Sequence, residues 1–600
     1  MIAALVVRVA AADPPVLPAV LRGTIVDAAT GVPTPCTVML TEADGTVVWE
    51  RASFRTGFRS NGRFAKRLPP GRTRLRVSRG FETQAVETNL DLAAGQTIDV
   101  RLALRRVVEL RRRGWYAGDS HVHMLHGERQ IPVDFDYVAL TARAEDLHYL
   151  SLAQAWTLAA PTPEALAAEL RPRSTPDGWL SWNLEAPKNY YRGDAGRCLG
   201  HCWSLGLRGR TPEGGDVIQA LLAASAWDYE ASKPSYANFE SHHLIHAQGG
   251  AVFYSHPARW WMGPWGGRGG YPRRERMRVS NMAAELPLDT LLGPTYDGLD
   301  LITGPGEDAA NAKAFALWAL LLNHGYRVAG TASSDACFDR PGGAVPGVPR
   351  TYTFLPDGFS WSNVARATAA GRTFVTTGPL LLTTLAGAPP GSAFPADGRE
   401  RALKIEAWAS GAAAGGLERI EVLRNGEAWR AFFLPGSPLL LRTNVSLKEQ
   451  ATAWYCVRVF GKGQPRQVAI SGAFYFQDRT YRPPAPTPAR VHALIRDAQT
   501  GAPLAGTLTE IVYDGTLAHP GQRRRFTAGE ASVTIPGTVR LRADVPGYLP
   551  LTRSPFLDDP PLVQAVTTLQ APDLLRWQTF AHLEELLAHV ELEFSLRRAP

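Results

Sequence analysis

The stretch Gly118–Met124, GDSHVHM, places His121 and His123 two residues apart. On an extended strand that spacing turns both imidazoles to one side, the arrangement two ligands of one metal ion need. Alone the pair is a weak signal, because H-x-H also arises in ordinary packing. It gains weight from residues farther along the chain, in this order: Glu185, the pair Gly200-His201, His256 in GGAVFYSHP, and Asp335 in GYRVAGTASSDA. His256 and Asp335 each come after a short apolar run that reads as a strand. Histidines and carboxylates at successive strand ends describe the mouth of a barrel. Neutral imidazoles with two carboxylates suit Zn²⁺, Mn²⁺ or Fe²⁺ rather than Ca²⁺. Two such cations ~3.5–4 Å apart share a water, lower its pKa toward neutrality and clamp both oxygens of a displacement. The alternative is a set of satisfied buried polar residues without metal.

Other residues carry fainter versions of the same chemistry. His242 and His246 sit one helical turn apart, as zinc ligands do, but the HExxH glutamate is missing, which favours packing or a surface role. Cys198, His201 and Cys202 form a loose zinc-like group, although buried thiols beside a strand are commoner. His126 reads as a loop residue or an extra ligand, and Asp119 as a group orienting a ligand imidazole from behind. Arg350 and Arg372 either serve the site or hold structure. The stretch RWWMGPWGGRGGYP, Arg259–Pro272, reads equally as an aromatic lid or as a packing surface. Lys188, Tyr190 and Tyr191 fall close enough to Glu185 to share its mouth, and Asp194 and Glu145 are the acids able to replace it.

The segment that must position these residues runs from Trp115 to about Leu382. Helical runs (Ala139–Leu147, Pro163–Leu170, Ala310–His324) alternate there with short apolar strands (Val252–Tyr254, Leu299–Ile302, Arg327–Ala329), which predicts an α/β domain. Both flanks read as β. Near the start, GTIVDAATGVPTPCTV (Gly23–Val38) parallels ALIRDAQTGAPLAGTL (Ala493–Leu508) at a constant offset of 470. Each copy predicts a strand, a turn in which Asp bonds its own backbone and Gly supplies positive φ, and a second strand. Residues 400–480 carry a third alternating pattern, and the proline-rich Tyr481–Arg490 reads as a linker. Apolar residues at helical spacing over Leu574–Leu596 predict one terminal amphipathic helix.

With 600 residues the chain is too long for one ordinary domain, and 45% apolar against 20% charged residues argues against wholesale disorder. The formal charge of +8 is a weak field over this length, and no dense basic run interleaves with aromatics, so no nucleic-acid partner is expected. No stretch reaches the ~18–20 apolar residues of a membrane span. Met1–Ala12 resembles part of a secretory leader split by Arg8; the chain is secreted or periplasmic if that segment is a clipped signal, and otherwise cytoplasmic. The five cysteines are too scattered for a disulfide framework. The oligomeric state is not legible.

The ordered motifs GDSHVHM, ARAEDL (Ala142–Leu147), GHCWSLGL (Gly200–Leu207), HAQGGAVFYSHP (His246–Pro257), LNHGYRVAGTASSDA (Leu322–Ala336), GVPRTY (Gly347–Tyr352) and GRTFVTTGPLLL (Gly371–Leu382) resemble the polymerase-and-histidinol-phosphatase (PHP) superfamily of metallohydrolases. Within it they look most like the carbaryl-hydrolase (CehA/McbA) type. The resemblance covers roughly residues 115–385, and the repeated flanks resemble carboxypeptidase-regulatory-like, transthyretin-type sandwiches. It implies a multidomain α/β plus all-β chain: a distorted (β/α)7 barrel at 106–385 between a sandwich at 19–105 and further sandwiches at 386–482 and 483–572. An irregular or leader segment at 1–18 and a terminal helix at 573–600 complete the expected order.

Carried over residue by residue, the resemblance implies one divalent metal ion on His121, His123, Glu185 and Asp335. A second falls on Glu185, His201 and His256, with Glu185 bridging. It also gives Glu185, His256 and Asp335 catalytic roles. Where many PHP enzymes feed a third metal, this chain has Ala153-Gln154-Ala155 and Asp335-Ala336-Cys337, so two ions are expected rather than three. The expected activity is hydrolysis of an ester-type bond in a small-molecule substrate, a phosphoester or a carbamate ester or amide. The rival expectation is a non-catalytic envelope or glycan-binding protein built on a retired barrel.

Overall fold

The computed structural model describes residues 17–49, 56–125, 131–154, 162–186, 188–191, 197–210, 214–217, 221, 237–262, 278–280, 282–304, 309–339, 344–411, 415–463, 465–512, 519–535, 537 and 539–600. His126, Ala155, Asp194 and residues 263–272 lie outside them, as does the leader-like 1–16. The chain is multidomain and mostly sheet, built from several sheets.

Seven strands surround the candidate ligands: β1 (Trp115–His123), β2 (Tyr149–Gln154), β3 (Trp179–Leu184), β4 (Cys198–Leu205), β5 (Ala251–Tyr254), β6 (Gly298–Thr303) and β7 (Ala329–Ser333). They form two ladders. In the first, β1, β2 and β3 run parallel; in the second, β5, β6 and β7 run parallel and β4 pairs antiparallel with β5. The ladders meet on one side where β3 packs beside β4, and on the other where Ala336-Cys337, just past β7, pairs with Val122-His123. Helices Phe135–Ala144, Pro163–Leu170, Leu286–Leu292 and Ala309–Asn323 make the connections between parallel neighbours. Every residue of β1 is buried, which is what a strand covered on both faces requires. Gly118 is obligatory in it, because a Cβ there would lie 2.0 Å from the Tyr149 ring of β2.

The first ladder does not stop at the expected boundary near residue 385. Beyond β1 it continues antiparallel through Arg350–Phe354, Thr373–Thr376, Gln467–Ser471, Ala453–Gly461 and Leu417–Arg424 to Glu427–Phe433. The sandwich over residues 386–482 is therefore one end of the sheet that carries His121 and His123. A second sheet, Leu380–Leu385, Glu400–Trp408 and Leu440–Lys448, closes it over Leu403, Ile405, Ile420, Val422 and Val457.

The two end modules share one topology. Ala19–Asp27 pairs antiparallel with Arg63–Leu68 and parallel with Thr97–Leu104; Ala489–Asp497 pairs antiparallel with Glu530–Ile535 and parallel with Val590–Leu596. In each turn an Asp carboxylate, Asp27 or Asp497, accepts the backbone N–H groups two and three residues on. The terminal helix expected from the sequence is thus corrected. It spans only Trp577–Leu587, and Val590–Leu596 is the closing strand of the last module. In VELEFSL the alternating Val590, Leu592, Phe594 and Leu596 are buried and the residues between them exposed, a period of two that the apolar count over a longer window concealed. The helices Pro560–Thr567 and Trp577–Leu587 are an insertion between the module's strands. They press it onto the central domain, with Trp577 stacked on His324 at 3.5 Å.

Candidate metal centre

His121 and His123 project from the end of β1, and their ring centroids stand 5.0 Å apart. Glu185 comes directly after β3, His256 lies two residues past β5, and Asp335 lies two past β7. His201 belongs to β4. Because β4 runs against β5, its beginning lies level with the other strands' ends, and the carbonyl of His201 accepts the N–H of Ser255 at 2.8 Å. Five residues at strand ends and one near a strand start therefore reach one place. His256 (φ 30°) and Asp335 (φ 52°) hold left-handed backbone angles that non-glycine residues rarely adopt.

The donor atoms form two groups, His121 with His123 and Asp335, and Glu185 with His201 and His256; within each, all lie within 4.8 Å of one another. The Glu185 carboxylate touches both. Its Oε1 lies 2.9 Å from His201 Nδ1, 3.7 Å from His256 Nε2 and 3.7 Å from His121 Nε2, and its Oε2 lies 3.7 Å from His123 Nε2. Asp335 Oδ1 lies 3.5 Å from His121 Nε2 and 3.3 Å from His123 Nε2, which are themselves 3.1 Å apart. Each group can hold a metal ion. The four imidazoles and Glu185 are buried, and Asp335 alone is partly exposed, with its side chain at 30%.

Burial pushes the His121 pKa down to about 4 against the pull of Asp335 and Glu185, so at neutral pH its ring is uncharged and keeps a lone pair for a cation. Burial pushes the Asp335 carboxyl up, and His121 and His123, when protonated, pull it below its ordinary range. Glu185 is a buried carboxylate among ring nitrogens of both groups, a setting that a divalent cation with nitrogen and oxygen ligands would satisfy. The donor set fits such ions.

Several neighbours take roles other than those expected. Asp119 does not orient an imidazole. Fully buried, it accepts the N–H groups of His121 (3.3 Å), Ser334 (3.2 Å) and Gly347 (2.7 Å), tying the loop before Asp335 to β1. Ser255, which sequence reasoning missed, holds His121 instead, with its Oγ 2.8 Å from His121 Nδ1. Its signal was adjacency to His256. Arg350 is buried and structural, donating to the carbonyls of Gly347 (2.7 Å) and Glu145 (2.9 Å) with its guanidinium 4.0 Å above the Phe81 ring. Glu145 faces the N-terminal module through Thr37 (2.8 Å) and Arg59 (2.6 Å), so it cannot replace Glu185. His242 bonds Thr295 at 2.8 Å and His246 bonds Asp297 at 3.0 Å, so the helical pair does not converge. Cys198 and Cys202 are buried in β4 and join neither donor group, and buried Cys337 pairs along β1 beside His123. Lys188–Tyr190 is a short strand antiparallel to β4, and Tyr191 is buried after it.

No family model matches the chain, and no curated protein does. Among solved structures, a variant of the Bacillus cereus major pilin subunit BcpA aligns at 9% identity over 30% of this chain and 64% of its own, with a TM-score of 0.13. The chain thus spans just under two thirds of that pilin. The group B streptococcus pilus 2b backbone protein aligns at 10% identity over 34% and 94% of the two chains, with a TM-score of 0.12. The Parabacteroides merdae β-glucuronidase aligns at 11% identity over 88% and 73%, with a TM-score of 0.16. Likenesses at these scores carry no argument about fold or activity, and the donor geometry is the ground for a functional reading.

Proposed function

We propose that this chain is a metal-dependent hydrolase of the PHP superfamily, CehA/McbA type. In this reading its seven central strands are a distorted barrel with β4 reversed, its two donor groups would hold two divalent ions (Zn²⁺, Mn²⁺ or Fe²⁺), and the substrate is an ester-type bond of a small molecule. The observation that carries the reading is the Glu185 carboxylate, buried between two donor groups and within 3.7 Å of a ring nitrogen of each. His121, His123, Glu185 and Asp335 would hold one ion, and Glu185, His201 and His256 the other. When bound, the pair of ions supplies a shared water acidified toward neutrality and Lewis-acid charge for a developing oxyanion. The chain's own groups supply fixed geometry. The imidazoles present ring nitrogens, Glu185 and Asp335 bring negative charge, and Asp335, the most exposed of the six, marks the side open to substrate.

The test is turnover of bis(p-nitrophenyl) phosphate and of 1-naphthyl N-methylcarbamate by purified protein, before and after chelation. The reading expects hydrolysis of one class, lost with chelator and restored by Mn²⁺ or Zn²⁺. Chelator-insensitive turnover, or none of either class in metal-loaded protein, contradicts it.

A further inference from the structure

Ser255 is fully buried and sits where the two donor groups adjoin. Its hydroxyl is 2.8 Å from Nδ1 of His121, in one group, and its N–H donates at 2.8 Å to the carbonyl of His201, in the other. It also immediately precedes His256. The left-handed angle at His256 (φ 30°) turns the chain at this point, so that residue 255 faces His121 while residue 256 faces Glu185 and His201. His121 reaches Glu185, Asp335 and His123 through Nε2, so Nδ1 is the nitrogen left for Ser255. An imidazole whose Nδ1–H is held by an oxygen acceptor keeps the lone pair on Nε2 and cannot rotate away from its ligand direction.

We infer that Ser255 is the positioning residue that couples the two half-sites. Through its hydroxyl, which can accept Nδ1–H, it fixes the angle of the His121 ring with Nε2 turned to the donor groups, and through its backbone it sets His201 and His256 at the matching height. This rests on the dinuclear reading above. Occupation of the His201–His256 side settles Ser255, and Ser255 in turn aligns His121, so the two ions bind with positive coupling that depends on the hydroxyl.

The experiment is stepwise Co²⁺ binding to the full chain by chelator competition, with the visible d–d spectrum recorded at each equivalent. It compares wild type, Ser255→Ala, Ser255→Thr and Ser204→Ala. Ser204 is a fully buried serine of β4 whose hydroxyl makes no hydrogen bond, so its variant controls for removal of a buried hydroxyl that holds no ring. Ser255→Ala is expected to weaken the His121 site by about 10–100-fold, the usual size for loss of an outer-shell partner. It should also abolish the coupling and alter the spectrum of that equivalent, while apo-protein melting stays like that of Ser204→Ala. Ser255→Thr restores the hydroxyl and recovers most of the affinity. Two equivalents in wild type with unchanged affinity, coupling and spectrum in Ser255→Ala overturn the role of Ser255 alone. No tight Co²⁺ in wild type overturns the dinuclear reading and this inference with it.

Discussion

Glu185 sits in SWNLEAPKNYY, where neighbouring aromatics obscure any period, and in the sequence only its place before Gly200-His201 marks it. The reason is burial on both faces at the end of β3. Burial alternates over Trp179–Trp182, but Trp182, Asn183 and Leu184 are all inside, so the alternation is lost just where the strand ends. The H-x-H pair was legible because two like ligands on one strand advertise their face. Ser255 was not, since a serine beside a histidine has no distinctive chemistry until the fold brings His121 within 2.8 Å. If Glu185 bridges two cations, Glu185→Gln keeps the volume and removes the shared charge. Both metal affinities and turnover should then fall together, by about 100-fold or more, since even outer-shell partners are worth 10–100-fold. Dialysis against graded chelator and then elemental analysis reads this directly. Two retained ions with near-normal turnover would remove Glu185 from the centre. Asp335→Ala takes one ligand from a single group; it should abolish turnover while leaving the circular-dichroism melting of the end modules intact.

At the scale of elements, strand ends could be read from apolar runs, but strand direction could not. That β4 runs against β5 depends on the path of the chain between His201 and Val252, which no local pattern encodes. Support from behind the strands was equally hidden, because Asp119 and His148 act on backbone groups. His148, fully buried, accepts the N–H of Ala117 on β1 through Nδ1 at 2.9 Å. Burial lowers its pKa to about 4, whereas in the unfolded chain it returns to the ordinary 6.5. Between these values the unfolded state binds more protons, so the contribution of His148 is complete above pH 6.5 and is lost as pH falls toward 4, roughly 3 kcal/mol over the window. His148→Asn keeps an acceptor that does not titrate. Urea midpoints measured from pH 7 to 4.5 should fall more steeply for wild type than for this variant. Equal slopes would show that His148 does not bear the protonation cost.

At the scale of the molecule, the twin D-A-x-T-G turns disclosed the two end modules, since Asp27 and Asp497 make the same bonds 470 residues apart. The sheet running from β1 into the 386–482 sandwich was not legible, because Thr373–Thr376 and Gln467–Ser471 meet across nearly a hundred residues. The last module is clamped to the central domain by Arg540, which donates to both Glu240 oxygens at 2.8 and 2.7 Å, with the two side chains only 11% and 2% exposed. Arg540→Ala leaves a buried charge unpaired and should cost about 3–5 kcal/mol. Limited proteolysis is then expected to cut faster in the proline-rich 481–490 linker, with metal content unchanged; an unaltered cleavage rate would count against the clamp. The most direct measurement is the metal content of the full wild-type chain after loading with Zn²⁺ or Mn²⁺ and exhaustive gel filtration. Two tightly held equivalents per chain, both lost in His121→Ala/His256→Ala, is the predicted result, and none, one or three would contradict a shared dinuclear centre.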